Sequence, residues 1–533
     1  MQVDVACSRM NTKITKDPTI EWLFLTQKID TLSPKHFVWE DKMMTKIRVA
    51  VVGAGLGGVA AAVKLKEAGI EDFLVFDRNQ KVGGVWHENK YPGCCCDTPV
   101  ALYEFSFAPN PSWTHLFPRA AEVQAYAESI VENHQLGSHM KLGDGMASAV
   151  WNDTSNTWTL KTENGTEYEA DAVIAGMGQL NRPAYPDIDG RDTFNGASMH
   201  SARWDQNVSL KGKRVGVIGS AASAVQLIPE VAKEAAHMTV FQRTPNWVIP
   251  RNDREITDEE KALMMTDIEL AMDLGKRNRD LLYDNADHFF WKAFEWTPEG
   301  RAAFTRQAID QLKKQIPDAE LRKKLLPDYP IGCKRILICD DFYPTLMMDH
   351  VELETNGIAK INGKGVETSD GVQHEFDVLI YATGFETTGW RWSMEVTGQN
   401  GQNLNELWEE SPEAYLGVTA TGFPNLFVLY GPNTNLGHNT ITFMLEHQVA
   451  YTIKALKVLE EAGAKALMPS RAAQDRFNED IQKDLSGTVW ADPHCASWYK
   501  NADGRITQNW SSHTRAYAAA TANVEMADYE LIG

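Results

Sequence analysis

Two short apolar runs organise the chain: Ile47–Val52 and Arg214–Ile218 are largely continuous rather than alternating, and each stops at a glycine. Runs of this length and β-branched content predict strands buried on both faces of a parallel sheet. Gly53-Ala-Gly55-Leu-Gly-Gly58 follows the first, then a helical stretch from Val59 to Ala68. Gly219-Ser220-Ala221-Ala222-Ser223-Ala224 follows the second. A further strand-like run comes after each helix, Phe73–Phe76 ending at Asp77 and Met238–Phe241 ending at Gln242-Arg243-Thr244. Two strand–turn–helix–strand units predict an α/β protein with two Rossmann-like dinucleotide-binding domains.

Between and after these units the pattern changes. Residues 252–328 are rich in Glu, Lys, Leu, Met and Ala with little β-branching, which predicts a helical insertion, with a short helix starting at Pro317-Asp318. Strand character returns at Asp377–Tyr381, leading into Ala382-Thr383-Gly384-Phe385; Asp171–Gly178 is its earlier counterpart. Both read as crossings between the two nucleotide domains, so the first domain is expected to be discontinuous. The expected division is an N-terminal extension 1–45, first domain 46–183, second domain 184–251, helical insertion 252–333, second domain resumed 334–375, and first domain resumed 376–533.

At 533 residues the chain exceeds what one core usually supports, in keeping with several domains. A net charge of −20 argues against nucleic acid or an anionic membrane surface as the main partner. No apolar run reaches spanning length, and the N-terminus lacks a secretory pattern. Seven cysteines, an odd number in a long chain, predict reduced thiols and a cytoplasmic setting. Met43-Met44 stands directly before the first strand, so residues 1–44 read either as an extra segment or as preceding an internal start.

The turns carry the first chemistry. Gly53 permits the tight turn, Gly55 lets backbone approach a pyrophosphate, Gly58 allows close helix–strand packing, and Asp77 stands where an acid holds a ribose hydroxyl. In the second unit Ala221 replaces the central glycine, and its methyl limits backbone approach. Arg243 takes the place of the ribose acid; a guanidinium matches a 2′-phosphate in charge and shape, so NADPH is expected over NADH. Cys94-Cys95-Cys96 invites a redox reading, but adjacent cysteines close only strained rings, and packing near a cofactor is the favoured alternative. His438, in a Gly-Asn loop, reads as structural, and no cluster has metal-ligand spacing.

Phe194, Gly196, His200, Trp204 and Asp205 fill the pattern F-x-G-x-x-x-H-x-x-x-W-(P/D) between the two nucleotide sites. This resembles the fingerprint of the type I Baeyer–Villiger monooxygenases. Gly83-Gly84-Val-Trp86, Tyr91-Pro92-Gly93, Lys334-Arg335 and Cys495-Ala-Ser497-Trp498-Tyr499 extend the resemblance from about residue 46 to 510. The family often has Ala-Arg-Cys-Asp where this chain has Cys94-Cys95-Cys96-Asp97.

The resemblance implies FAD in the first domain and NADPH in the second. It implies oxygen insertion beside a ketone carbonyl through a C4a-peroxyflavin, giving an ester or lactone. Arg335 is the implied catalytic residue, oriented by Asp97. Gly53, Gly55, Gly58, Asp77, Gly84, Trp86, Asp97 and Tyr103 are expected around the flavin nucleotide. Gly219, Ser220, Ser223, Gln226, Arg243, Thr244, Lys334 and Trp498 are expected around NADPH. His200 and Trp204 read as coupling NADP binding to domain movement, or as linker packing. Trp390 and Trp392 could line an apolar cavity or, as tryptophans more often do, simply pack. The partners are a small-molecule ketone and O2, with no nucleic acid, membrane or protein partner expected. One alternative is a flavin monooxygenase of sulfur or nitrogen. Another, from a different class, is a non-catalytic NADPH/FAD-binding regulatory protein.

Overall fold

The first strand, expected at 47–52, runs from Thr45 to Val52 and pairs in parallel with Phe73–Asp77 on one side and Glu167–Ala175 on the other. Val49, Ala50 and Val51 are fully buried, so the run needs no polar face. The computed structural model describes residues 44–265, 268–387 and 392–533. Most of the expected N-terminal extension, and Trp390, therefore lie outside the described residues. Thr45–Gly533 forms one unit.

The first sheet runs Glu395–Thr397, Met146–Asn152, Thr157–Thr162, Glu167–Ala175, Thr45–Val52, Phe73–Asp77, Met140–Leu142, with Leu426–Val428 added on Glu167–Ala175. The second sheet is all parallel: Val351–Glu354, His237–Phe241, Arg214–Ile218, Val378–Tyr381, Ala197–His200. Helices Leu56–Glu67 and Ala222–Ala232 follow the two glycine-ended strands. The expected α/β architecture with two dinucleotide-binding units is thus present.

One expected boundary shifts. Val378–Tyr381 was assigned with the first domain, yet it pairs with Arg214–Ile218 in the second sheet. The crossing falls after Tyr381, because a strand buried on both faces looks the same in either sheet and its partner is decided by tertiary pairing.

The two crossings are bonded to each other. Ala184 N–H donates to the Gly384 carbonyl at 2.9 Å, Glu386 N–H to the Arg182 carbonyl at 2.9 Å, and the Thr383 hydroxyl to the Ala184 carbonyl at 2.6 Å. They form a double connection between the two sheets.

The insertion is helical as expected, with helices Asp258–Met265, Ile268–Phe289, Pro298–Gln315 and Ala319–Leu325. The Asp318 carboxylate accepts from the Leu321 N–H and caps the last of these. A two-residue parallel pair, Val248–Ile249 with Leu337–Ile338, closes the base of the insertion and returns the chain to the second domain beside Arg335. His438 is structural here: it lies 3.1 Å from Asp287 of the insertion, and both side chains are buried. Asp287 also accepts from Asn439 and from the backbone and hydroxyl of Thr514, which together hold its carboxyl below the usual range despite burial.

Candidate active site

One cavity of about 1310 Å³ is lined by residues of both nucleotide units. That exceeds the roughly 300–1,000 Å³ of a drug-sized ligand site. Of the predicted site residues, all but Gly58 line it.

Gly58 acts one step back. A Cβ there would stand 1.8 Å from the Gly53 carbonyl oxygen, so its hydrogen lets the helix seat against the strand end. Gly53 has φ +103, and a Cβ on Gly84 (φ +55) would lie 2.9 Å from the Gly55 Cα. Close backbone approach at Gly55 and Gly84 thus forms the cradle. The Asp77 carboxylate accepts from the Ala54 N–H at 2.7 Å and the Asn79 N–H at 2.8 Å. It fixes the glycine turn as well as facing the cavity, a role its position in the sequence did not announce. Trp86 Nε1–H donates to the Tyr103 hydroxyl at 3.0 Å, joining those two predicted residues.

Both nucleotide helices begin without a side-chain cap or an acid in the first turn. Their first N–H groups and positive dipole ends therefore open toward the cavity, suited to phosphates. This observation makes the site fit two dinucleotides. On the second side, Ser220, Ser223 and Thr244 line the cavity with Arg243 and Lys334. Among the described residues neither cation has an ion-pair partner. Burial, and then the neighbouring Arg243, push the Lys334 amine below its usual value. Two cations held near each other, with Asp328 acting on Lys334 more weakly than Arg243 does, suit a phosphate.

Gln226 lines the cavity and also bridges the two domains. Its Oε1 accepts from the Tyr91 hydroxyl at 2.8 Å and the Cys95 N–H at 3.3 Å, and its Nε2 donates to the Cys95 carbonyl at 3.1 Å. It ties the second domain's helix to the loop that carries Asp97, in addition to lining the cavity. Its regular place on a helix gave no sign of this.

Arg335 Nη1 donates to Asp97 Oδ2 at 2.8 Å across 238 residues of sequence. Asp97 raises the guanidinium's pKa, outweighing desolvation, so Arg335 stays charged at every working pH. Tyr430 and Tyr499 stand near it, and burial pushes both phenols up. Sequence reasoning named neither as a site residue. Tyr430 adopts φ +58, a constraint no pattern reveals, and its hydroxyl donates to Asn435 at 2.6 Å.

The three adjacent cysteines are free thiols in the cavity wall. Burial raises the Cys94 thiol to about 12 and lifts Cys95 and Cys96 as well, so reactive thiolates are scarce. The expectation that all thiols are reduced is overturned elsewhere: Cys333 and Cys495 form a disulfide with Cα atoms 5.3 Å apart. Count and compartment are statistical signals; burial of two facing cysteines decided this pair. Trp392, a candidate cavity wall, is buried against Trp408 with ring centroids 5.6 Å apart.

The fingerprint residues form the edge strand of the second sheet and its exit. His200 pairs with Tyr381, is fully buried, and lies 5.3 Å from the Tyr185 ring and 6.1 Å from the Phe385 ring. These aromatics come from the two crossings, so His200 packs against both of them.

Fold and cavity are those of a protein with two dinucleotide-binding units. The family described as "Pyridine nucleotide-disulphide oxidoreductase" matches residues 50–258. A Baeyer-Villiger monooxygenase of Pseudomonas aeruginosa is 38% identical over 485 residues, 91% of each chain. One from Streptomyces coelicolor is 39% identical, covering 91% of this chain and 93% of the relative. The NADP+-bound structure of cyclohexanone monooxygenase from Rhodococcus sp. Phi1 superposes with a TM-score of 0.81 at 29% identity, over 92% of this chain and 100% of that one. The chain belongs to the Baeyer–Villiger monooxygenase family, and is an NADPH-dependent flavoprotein monooxygenase with FAD and NADP as its cofactors. No helix among the described residues is long and apolar enough to cross a membrane.

Proposed function

We propose that this protein converts a small-molecule ketone and O2 to an ester or lactone in the cavity between its nucleotide units, with Arg335 as the catalytic residue and Asp97 orienting it. The single observation behind the residue roles is the 2.8 Å Arg335–Asp97 contact inside the cavity that both nucleotide sites share.

When bound, FAD supplies the oxygen chemistry and NADPH the reducing equivalents. The chain's own residues do the rest. Gly53, Gly55 and Gly84 bring backbone against the flavin nucleotide, with Asp77 holding the turn that presents it. Arg243 and Lys334 select the 2′-phosphate of NADPH. Arg335 presents a permanent, oriented positive charge where negative charge develops on oxygen, and such a charge acts strongly in a water-poor site. Asp97 accepts from one Nη and the Tyr499 hydroxyl bonds the same guanidinium, whose five N–H groups exceed what these two take up. Leu436, Ile441 and Trp498 add apolar surface to the cavity, which favours a carbonyl substrate with a hydrocarbon body. The domain division carries over as 46–183 and the chain after Tyr381 for FAD, with the second sheet for NADP.

The test is to incubate the FAD-loaded protein with NADPH, O2 and a panel of linear, cyclic and aryl ketones plus a thioether. Esters or lactones carrying one oxygen from O2 are expected. Sulfoxide as the sole product would move the reaction to heteroatom oxidation.

A further inference from the structure

The Cys333–Cys495 bond joins two loops, and each loop sends its next residues into the cavity: Lys334 and Arg335 from one, Ala496, Ser497 and Trp498 from the other. The partners are 162 residues apart in sequence. Residues 493–498 have neither helix nor strand, so their placement depends on tethers rather than on a regular ladder. One tether is the Trp490 Nε1–H to Gly332 carbonyl bond of 3.0 Å, beside the disulfide. Gly332 itself is pinned, with φ +87 and the Ala293 carbonyl oxygen only 2.1 Å from where a Cβ would stand. The Cys333 loop is therefore the fixed side, and the Cys495 segment is the side held to it. The Ser497 hydroxyl oxygen is buried with no hydrogen-bond partner, while its residue lines the cavity. A donor without a protein partner at that wall is suited to a bound ligand.

We propose that this disulfide is a positioning clamp for the NADP end of the cavity: it fixes Ser497 and Trp498 opposite Lys334 and Arg335, and the reduced protein binds NADP⁺ more weakly. This deepens the functional reading above and rests on its placement of Lys334 and Trp498 at the NADP site. The bond forms by thiol–disulfide exchange with a low-molecular-weight disulfide. One cysteine thiolate attacks that disulfide and expels one thiol; the other cysteine thiolate then displaces the second. Two electrons pass from the cysteine pair to the reagent disulfide, and the two cysteine protons leave with the released thiols. Both cysteines are almost fully buried, so the finished bond is shielded from the reverse reaction.

The test compares FAD-loaded protein prepared under reducing conditions with the same protein after oxidised glutathione. Three readings are taken: peptide mapping after alkylation without reductant, flavin content, and NADP⁺ titration followed by flavin absorbance. The expected result is a Cys333–Cys495 linked peptide after glutathione and equal flavin content. NADP⁺ should bind roughly two- to tenfold more tightly in the linked form, the cost of ordering about one side chain. The C333S/C495S double variant should bind like reduced protein and ignore glutathione. If that variant fails to fold, the wild-type comparison still decides. Absence of the linked peptide in both preparations, linkage without a change in NADP⁺ affinity, or the same gain in the double variant would overturn the proposal. Linkage and NADP⁺ binding are read without turnover, so failure to oxidise ketones would count against the functional reading alone.

Discussion

Arg335 and Asp97 meet at 2.8 Å although one leaves the helical insertion and the other sits in the loop after the flavin-site glycines. Gln226 holds that loop from the second domain through the backbone of Cys95, two residues before Asp97. The pair is therefore assembled by both domains. Arg335→Ala is expected to retain flavin reduction by NADPH while ester formation falls by about 10²–10³-fold, the usual effect of removing one oriented electrostatic group. Asp97→Asn keeps the shape but weakens a charge-assisted bond, so a smaller loss, about tenfold, is expected. Stopped-flow reduction and product yield measured on the same preparations separate the two steps. Ester formation near the wild-type rate in Arg335→Ala would remove the assigned role.

Local periodicity and turn chemistry made much of this site legible. The strand ends at Val52 and Ile218, the glycine cradle, and Arg243 in place of an acid are all properties of a few adjacent residues. The disulfide, the Gln226 bridge and the sheet to which Val378–Tyr381 belongs were not legible. Each depends on a partner more than a hundred residues away, and a buried apolar strand or a helical glutamine looks the same whichever partner it finds. Trp392 was open to either reading, cavity wall or packing. Its indole is apolar enough to line a cavity, but local sequence does not say that Trp408 stands against it.

Lys334 and Arg243 make the coenzyme preference depend on pH. Burial and then Arg243 lower the Lys334 pKa from 10.5, and a lysine is charged only below its pKa. As pH rises, Lys334 loses its charge before an ordinary surface lysine does, and NADPH affinity falls while NADH affinity is little changed. Lys334→Ala is expected to weaken NADPH binding by roughly tenfold, the loss of one charge-assisted contact, and to flatten that pH dependence. Titrations with both coenzymes from neutral to alkaline pH give the ratio directly. An unchanged NADPH/NADH ratio in Lys334→Ala would separate this residue from the 2′-phosphate.

Buried histidines set the acid limit. Desolvation lowers His200 and His447 from 6.5 to about 4, and it also lowers His438. In the unfolded chain these groups take up protons near 6.5, while the folded protein resists until about 4. The unfolded state binds more protons across that window, so stability contributed by the neutral imidazoles is full above it and is lost as pH falls through it. For His200, charging would also loosen its packing against Tyr185 and Phe385 of the two crossings. Thermal midpoints should fall with acid across the window, and His200→Asn should show a shallower slope than wild type. Parallel slopes would place the acid sensitivity elsewhere.

The two nucleotide turns respond oppositely to a methyl group. At Gly58 an added Cβ would meet the Gly53 carbonyl oxygen at 1.8 Å, a backbone atom that no side-chain rotation can move away. Gly58→Ala should therefore cost about 3 kcal/mol or more, at the upper end of overpacking, and should yield protein depleted in FAD. Ala221 adopts φ −89 and ψ −159, a conformation open to any residue, and it caps its helix from an exposed position. The methyl there does not strain the chain, although Ala221 lines the cavity. Ala221→Gly should accordingly leave flavin content unchanged and shift NADP⁺ affinity by less than about threefold, within the roughly 0.5–1 kcal/mol of a glycine's backbone entropy. If Ala221→Gly instead tightened NADP⁺ binding more than tenfold, the methyl would be blocking the pyrophosphate, and the second turn would be less well matched to its coenzyme than its backbone angles indicate.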